Sequence, residues 1–272
     1  MGEGPRLRHD GAVPVRLAFE QHVDVVHEAG ERLAAHVAEV DLAAPVPTCP
    51  RWTVADLLAH QTMVHRWAAA HVAGGDPEAV PSKRDLLASV PDLRAHYREG
   101  LALLLDALRA APADLRAMTF LRDAPGPREF WARRQAHETT VHGVDGQAAA
   151  LGRAPTALEA AATGISPEVA LDGLDELLCG FVTRGRSKTV LATPATVHVR
   201  PTDVDEEWTM QVGDAITTTH GPTTQDDGDA VLSGTGTQLY LGLWNRGDEV
   251  VGRGRGREVL AAWRKGQRVS WS

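Results

Sequence analysis

The first half of the chain repeats apolar residues at intervals of three and four and closes each such stretch with proline or glycine, a period that strands do not have. From Leu17 to Val40 the residues Phe19, Val23, Val26, Leu33 and Val37 recur with Glu, Asp and Arg between them. A helix gathers such positions into one stripe, and Pro45 and Pro47 end the segment. A second helix begins at Thr53, where Thr-Val-Ala-Asp forms a capping box: the hydroxyl accepts an orphan backbone N–H and Asp56 reaches back. It runs to about Val72, before Gly74 and Gly75. A third is expected over roughly Asp92–Ala110 and a fourth from near Arg128 to about Ala150, before Gly152 and Pro155. Four helices of about 20 residues on short connections describe a four-helix bundle.

The second half changes character. Ser166-Pro167-Glu168 is a helix start, with a capping residue followed by proline in the first turn, and predicts a helix to about Thr183. Strand-like alternation follows over Thr189–Arg200, Glu207–Val212 and Asp229–Leu232, separated by Pro, Gly and Asp turns. Thr235–Asn245 and Glu258–Lys265 read as helices. The expectation is a two-domain α+β protein: residues 1–153 a four-helix bundle, 154–272 a small α+β domain, with the boundary near Gly152–Pro155.

Charge and cysteine content narrow the function. Against 36 acidic residues stand 28 basic ones, a formal charge of −8, which argues against a nucleic-acid or anionic-membrane surface. Arg253, Arg255 and Arg257 form the one basic run, and their glycine spacing reads as a solvated loop. Met1 to Pro14 lacks the apolar core of a secretion signal, and no stretch of about 18 apolar residues could span a membrane. Two distant cysteines, Cys49 and Cys179, exclude a disulfide framework or a Cys-based zinc finger, so a cytoplasmic protein is expected.

The segment Arg134-Gln-Ala-His-Glu-Thr-Thr-Val-His142-Gly-Val-Asp145 carries the most chemistry. A helix advances about 100° per residue, so Glu138 and His142 share a face, whereas His137 and His142 diverge by about 140°. The segment is therefore not a zincin His-Glu-x-x-His. Arg134 and Asp145 extend the stripe by one turn at each end. Taken alone, it reads equally as a solvated face with i,i+4 ion pairs such as Arg134 with Glu138. His60 adds weight to the other reading, because it falls in the otherwise apolar row Leu57, His60, Val64, Trp67 and so points into the bundle. Bundle metal sites are assembled from side chains on facing helices, and two His with one Glu leave a coordination position open. His65 lies about 140° round from His60 and is a weaker ligand. Trp67 and Trp131 read as core or pocket wall, and Cys49, with no base beside it in sequence, as an inert thiol.

Trp52-Thr-Val-Ala-Asp-Leu-Leu-Ala-His60, with Trp67 after it, and Arg134-x-x-His-Glu138-x-x-x-His142-x-x-Asp145 resemble the mycothiol-dependent maleylpyruvate isomerase family, within the DinB/YfiT-like metal-binding bundle superfamily of actinobacteria and their relatives. Gly234-Thr-Gly-Thr-Gln-Leu-Tyr-Leu-Gly-Leu-Trp-Asn-Arg246 and Leu260-Ala-Ala-Trp263 resemble that family's C-terminal domain, so the likeness covers nearly the whole chain. The family's ligands match His60, Glu138 and His142. The resemblance implies zinc or another divalent metal and mycothiol as thiol cosubstrate. The expected activity is isomerisation of, or S-transfer to, a small electrophile through a metal-bound thiolate, by a monomer or homodimer. It also implies that Arg246 lies near the active site, with Arg134 as a further catalytic candidate and Asp145 orienting a ligand; each has a plain ion-pair reading beside it. Two alternatives stay open at this point: a hydrolase in which the same metal activates water, and a non-enzymatic ligand-binding or regulatory protein.

Overall fold

A computed structural model describes residues 17–121, 124–185, 189, 191–221 and 228–267; the Met1–Pro14 segment and Val190 lie outside them. The elements of the first half are α1 (Phe19–His36), α2 (Val54–Ala73), α3 (Lys83–Ser89), α4 (Leu93–Ala110) and α5 (Pro127–Leu151). Thr53 caps α2 by accepting from the Asp56 N–H, while Asp56 accepts from the Thr53 N–H at 3.0 Å, and Gly74 closes the helix in the left-handed region. Asp92 caps α4 through the Arg94 and Ala95 N–H groups. The first helix stops at His36, short of the expected Val40. The short α3 went unread, although Ser82 and Asp85 form a capping box at its start. The four long helices make the bundle. At Gly146 of α5 an added Cβ would lie 2.5 Å from a Leu33 methyl group of α1, so only glycine permits that approach.

The second half comprises α6 (Ala157–Ala162), α7 (Pro167–Asp175), β1 (Ala195–Pro201), β2 (Trp208–Val212), β3 (Ile216–His220), β4 (Ala230–Gly234), α8 (Gly236–Leu243), β5 (Val251–Gly254) and α9 (Gly256–Gly266). The helix expected from Ser166 to Thr183 is α-helical only to Asp175; a π-helical turn over Glu176–Phe181 and a 3-10 turn over Val182–Arg184 continue it. The sheet runs β3-β2-β1-β4-β5, with β1 and β4 parallel and the other pairs antiparallel. Val197 of β1 sits between Met210 of β2 and Ala230 of β4. Strands β3 and β5 are additions to the sequence reading: both are short edge strands without a clean apolar alternation. The arginine run is no loop, since Arg253 lies on β5, Arg255 starts α9 by bonding Glu258, and Arg257 lies in its first turn. No helix among the described residues is long and apolar enough to cross a membrane.

The two halves share one core, in which Phe130 and Trp131 of the bundle belong to the same apolar cluster as Leu174, Phe181, Trp208, Tyr240 and Trp263. Helix α5 lies at its centre and is buried on every side from Phe130 to Ala149. A helix so placed is ordinarily apolar all round, yet α5 carries Arg133, Arg134, His137, Glu138, His142 and Asp145. Each of those groups needs a partner, because an unpaired buried charge is strongly destabilising. Asp172 of α7 answers on one face: its Oδ2 accepts from Arg133 Nε at 3.1 Å and lies 2.6 Å from His137 Nε2 and 3.0 Å from His22 Nε2. Burial pushes the Asp172 pKa up, but the His137 and His22 hydrogen bonds and the Arg133 charge outweigh it and hold the carboxyl far below its ordinary value. Asp172→Asn leaves Arg133 buried without a counter-charge, so urea unfolding of that variant is expected to show a loss of about 3–5 kcal/mol.

Candidate metal centre

On the opposite face of α5, His60 of α2 meets Glu138 and His142. Glu138 Oε1 lies 3.3 Å from His60 Nε2 and 3.3 Å from His142 Nε2, and the three donor atoms fall within 4.8 Å of one another. Two ligand atoms bonded at about 2.0–2.1 Å to one tetrahedral ion stand about 3.3 Å apart, the spacing of Glu138 from each histidine. All three side chains are buried. His142 Nδ1 lies 2.8 Å from Asp145 Oδ2; a carboxylate only accepts, so Nδ1 carries the proton and Nε2 is aimed at the centre. Trp52, just before the α2 cap, closes one side: its ring stacks on His142 at 5.6 Å and tilts against His60 at 4.8 Å. Lys83 of α3 spans from the Trp52 ring to Asp56, fastening that wall to the start of α2.

The electrostatics favour positive charge at this point. Burial pushes the Glu138 pKa up, yet hydrogen bonds with His142 and His60 and the Arg134 charge hold it well below the ordinary carboxylate value. Burial alone would depress His142, but Asp145 and Glu138 together raise its pKa above the usual 6.5. His60, with burial dominant, is lowered. Counting Glu138 and Glu176 as negative, Arg134 as positive and Asp145 as neutralised by Arg246, the surroundings carry one net negative charge.

The other candidates take distinct places. Arg134 is fully buried and bridges Glu138 Oε2, at 3.1 Å, to Glu176 of the π-helical turn. Arg246, just beyond α8, donates through Nε and Nη2 to the two oxygens of Asp145 at 3.1 and 2.9 Å and stays half-buried. Asp145 also accepts from Thr48 and from the Cys49 thiol. His65 turns away to Gln61 and Thr139, and burial depresses its pKa to about 3. Trp67 and Trp131 pack on each other and on Phe120 rather than on the three donors. His137 faces Asp172, as its 140° offset requires. His22, His137 and Asp172 also bring three donor atoms within 4.8 Å. There, however, Arg133 occupies the same Asp172 oxygen that a cation would need and cancels its charge. Sequence reasoning missed Trp52 as a wall and Glu176 altogether; the one signal for Glu176 was its place, with Asp172 and Asp175, among three acids in a stretch that otherwise carries no charge.

Comparison with known proteins agrees with this architecture. Residues 23–147 match the mycothiol maleylpyruvate isomerase N-terminal domain, and residues 168–265 match the C-terminal domain of the same family. A crystal structure of the mycothiol-dependent maleylpyruvate isomerase superposes with a TM-score of 0.58 at 16% identity, covering 88% of this chain and 95% of that one. A histidine-to-alanine mutant of that isomerase gives 0.55 at 14% identity with the same coverage. At such identities the superpositions show the fold. No curated protein matches the chain. With both of its domains matched in order, the bundle and the sheet alike, the chain belongs to the mycothiol-dependent maleylpyruvate isomerase family.

Proposed function

We propose that this protein is a metal- and mycothiol-dependent enzyme that isomerises a small unsaturated electrophile, or transfers the thiol to it, at a centre formed by His60, Glu138 and His142. The carrying observation is the buried two-histidine, one-carboxylate set, with donor spacings of 3.3 Å, in a chain of this family. A divalent cation such as zinc, when bound there, lowers the pKa of a thiol at its open position.

The protein's own residues divide the remaining work. Asp145 fixes the His142 tautomer, and Arg246 neutralises Asp145 while keeping a partly exposed cationic face toward an anionic reactant. Arg134, with no exposed surface, acts on Glu138 and not on a reactant. Cys49 supplies no competing nucleophile: burial and the Asp145 charge push its thiol up to about 12. Cys49 forms no disulfide, which suits the reducing cytoplasm. A boundary between the halves near Gly152–Pro155 is supported by the end of α5, where Gly152 adopts the left-handed region.

Three measurements test this reading. Plasma mass spectrometry is expected to find about one zinc or similar ion per chain, lost when His60, Glu138 and His142 are all replaced by alanine, as a three-ligand site requires. Absence of metal from both proteins after reconstitution would sink the proposal. Arg246→Ala is expected to retain metal at saturating zinc while kcat/KM for the mycothiol-dependent reaction falls by about 10–100-fold; unchanged kinetics would make Arg246 purely structural. Cys49 is expected to resist iodoacetamide at pH 8 in the folded protein and to react in urea, read by peptide mass spectrometry, because a thiol titrating near 12 is about 0.01% thiolate there.

A further inference from the structure

Glu138 has two oxygens, and only one faces the histidines. Oε1 lies 3.3 Å from both imidazoles, while Oε2 accepts from Arg134 Nη2 at 3.1 Å. An arginine facing a lone carboxylate tends to engage both of its oxygens, two parallel N–H groups to two acceptors. Here the second prong is drawn elsewhere: Arg134 Nη1 donates to Glu176 Oε2. The side chains of Arg134, Glu138 and Glu176 are 0%, 5% and 1% exposed, so neither carboxylate competes with water for the guanidinium.

The backbone is shaped for this division. Glu176 and Phe181 are the first and last residues of the π-helical turn. On an α-helix, residues five apart point about 140° away from each other. The wider turn brings both onto Arg134, Glu176 as acceptor and Phe181 with its ring 4.8 Å beneath the guanidinium carbon. Trp244 adds a second aromatic face at 5.5 Å. A single π-turn within a helix often marks a functional position, and here it sets the only carboxylate of the second half that reaches the arginine behind the metal ligand, among the described residues.

We infer that Glu176 is a positioning residue for the metal centre: by holding one arm of Arg134 it leaves Glu138 Oε1 free as a single-oxygen ligand. The inference rests on the metal-binding reading above. Without the Glu176 carboxylate, Arg134 turns its fork onto both Glu138 oxygens and covers the donor. The effect passes through Arg134 alone, which separates it from a general packing role.

The test measures zinc affinity by competition with a chromophoric chelator, with urea unfolding of each metal-free protein alongside. Wild type is expected to bind one zinc, and Glu176→Gln to bind it about 10–100-fold more weakly, the usual cost of losing a residue that supports a ligand. In an Arg134→Met background the same Glu176→Gln change is expected to alter affinity by less than about threefold, the pattern of a coupling confined to one pair. That double variant buries no unpaired cation, so it carries the test if Glu176→Gln alone fails to fold; affinity close to that of wild type is then the supporting result. Equal losses in both backgrounds, or unchanged affinity in Glu176→Gln with one zinc bound by wild type, overturn the role of Glu176 and leave the metal centre standing. Failure of wild type to bind zinc overturns both.

Discussion

A charged helix in the middle of an apolar core is the constraint around which this protein is organised. Helix α5 is enclosed from Phe130 to Ala149 and carries two arginines, a glutamate, an aspartate and two histidines in that span. Desolvating such groups is costly, and the cost is offset only when each finds an opposite charge or a full set of hydrogen bonds. The bundle by itself offers few: α1 contributes His22 and α2 contributes His60. The counter-charges come from the second half, as Asp172 for Arg133, Glu176 for Arg134 and Arg246 for Asp145. The sheet and its helices thus complete the electrostatics of a helix they do not contain.

The candidate centre is a product of this arrangement. Both candidate ligands on α5 are braced from behind by a residue that is itself held from the C-terminal half: Glu138 through Arg134 to Glu176, His142 through Asp145 to Arg246. His60 leans on the Trp52 ring, and among the described residues no charged side chain braces it from behind. The same bracing sets His142 apart from His60. Two carboxylates raise the pKa of His142, whereas His60, under burial and facing one shared oxygen, is depressed. The difference between the two histidines therefore comes from Asp145, which supports His142 from behind and has no counterpart at His60 among the described residues.

Much of this was legible in the sequence, for definite reasons. The long helices announce themselves because proline, glycine and capping residues punctuate a regular period, as at Thr53 and Gly74. Glu138 and His142 could be paired because a four-residue spacing on a helix is a geometric statement, and His60 because it interrupts an apolar row. What could not be read depends on irregular backbone or on distant partners. The neighbours Arg133 and Arg134 pair with different acids, Asp172 and Glu176, which no periodicity rule assigns to a core helix. Glu176 acquires its place from a π-turn with no sequence mark of its own, and β3 and β5 are edge strands whose side chains are largely polar or absent.

The shared core and the crossed charge pairs bear on how such a chain can change over generations. Its two halves match separate domain models, which suggests parts that could be recombined. Yet a foreign C-terminal half lacking acids at the positions of Asp172 and Glu176 would strand Arg133 as a buried cation, at a cost of about 3–5 kcal/mol, and leave Arg134 to Glu138 alone. An exchanged C-terminal half keeps these buried charges paired only when both sides of each pair are inherited together. The bundle and the sheet are distinct in sequence, but as units of descent they are one.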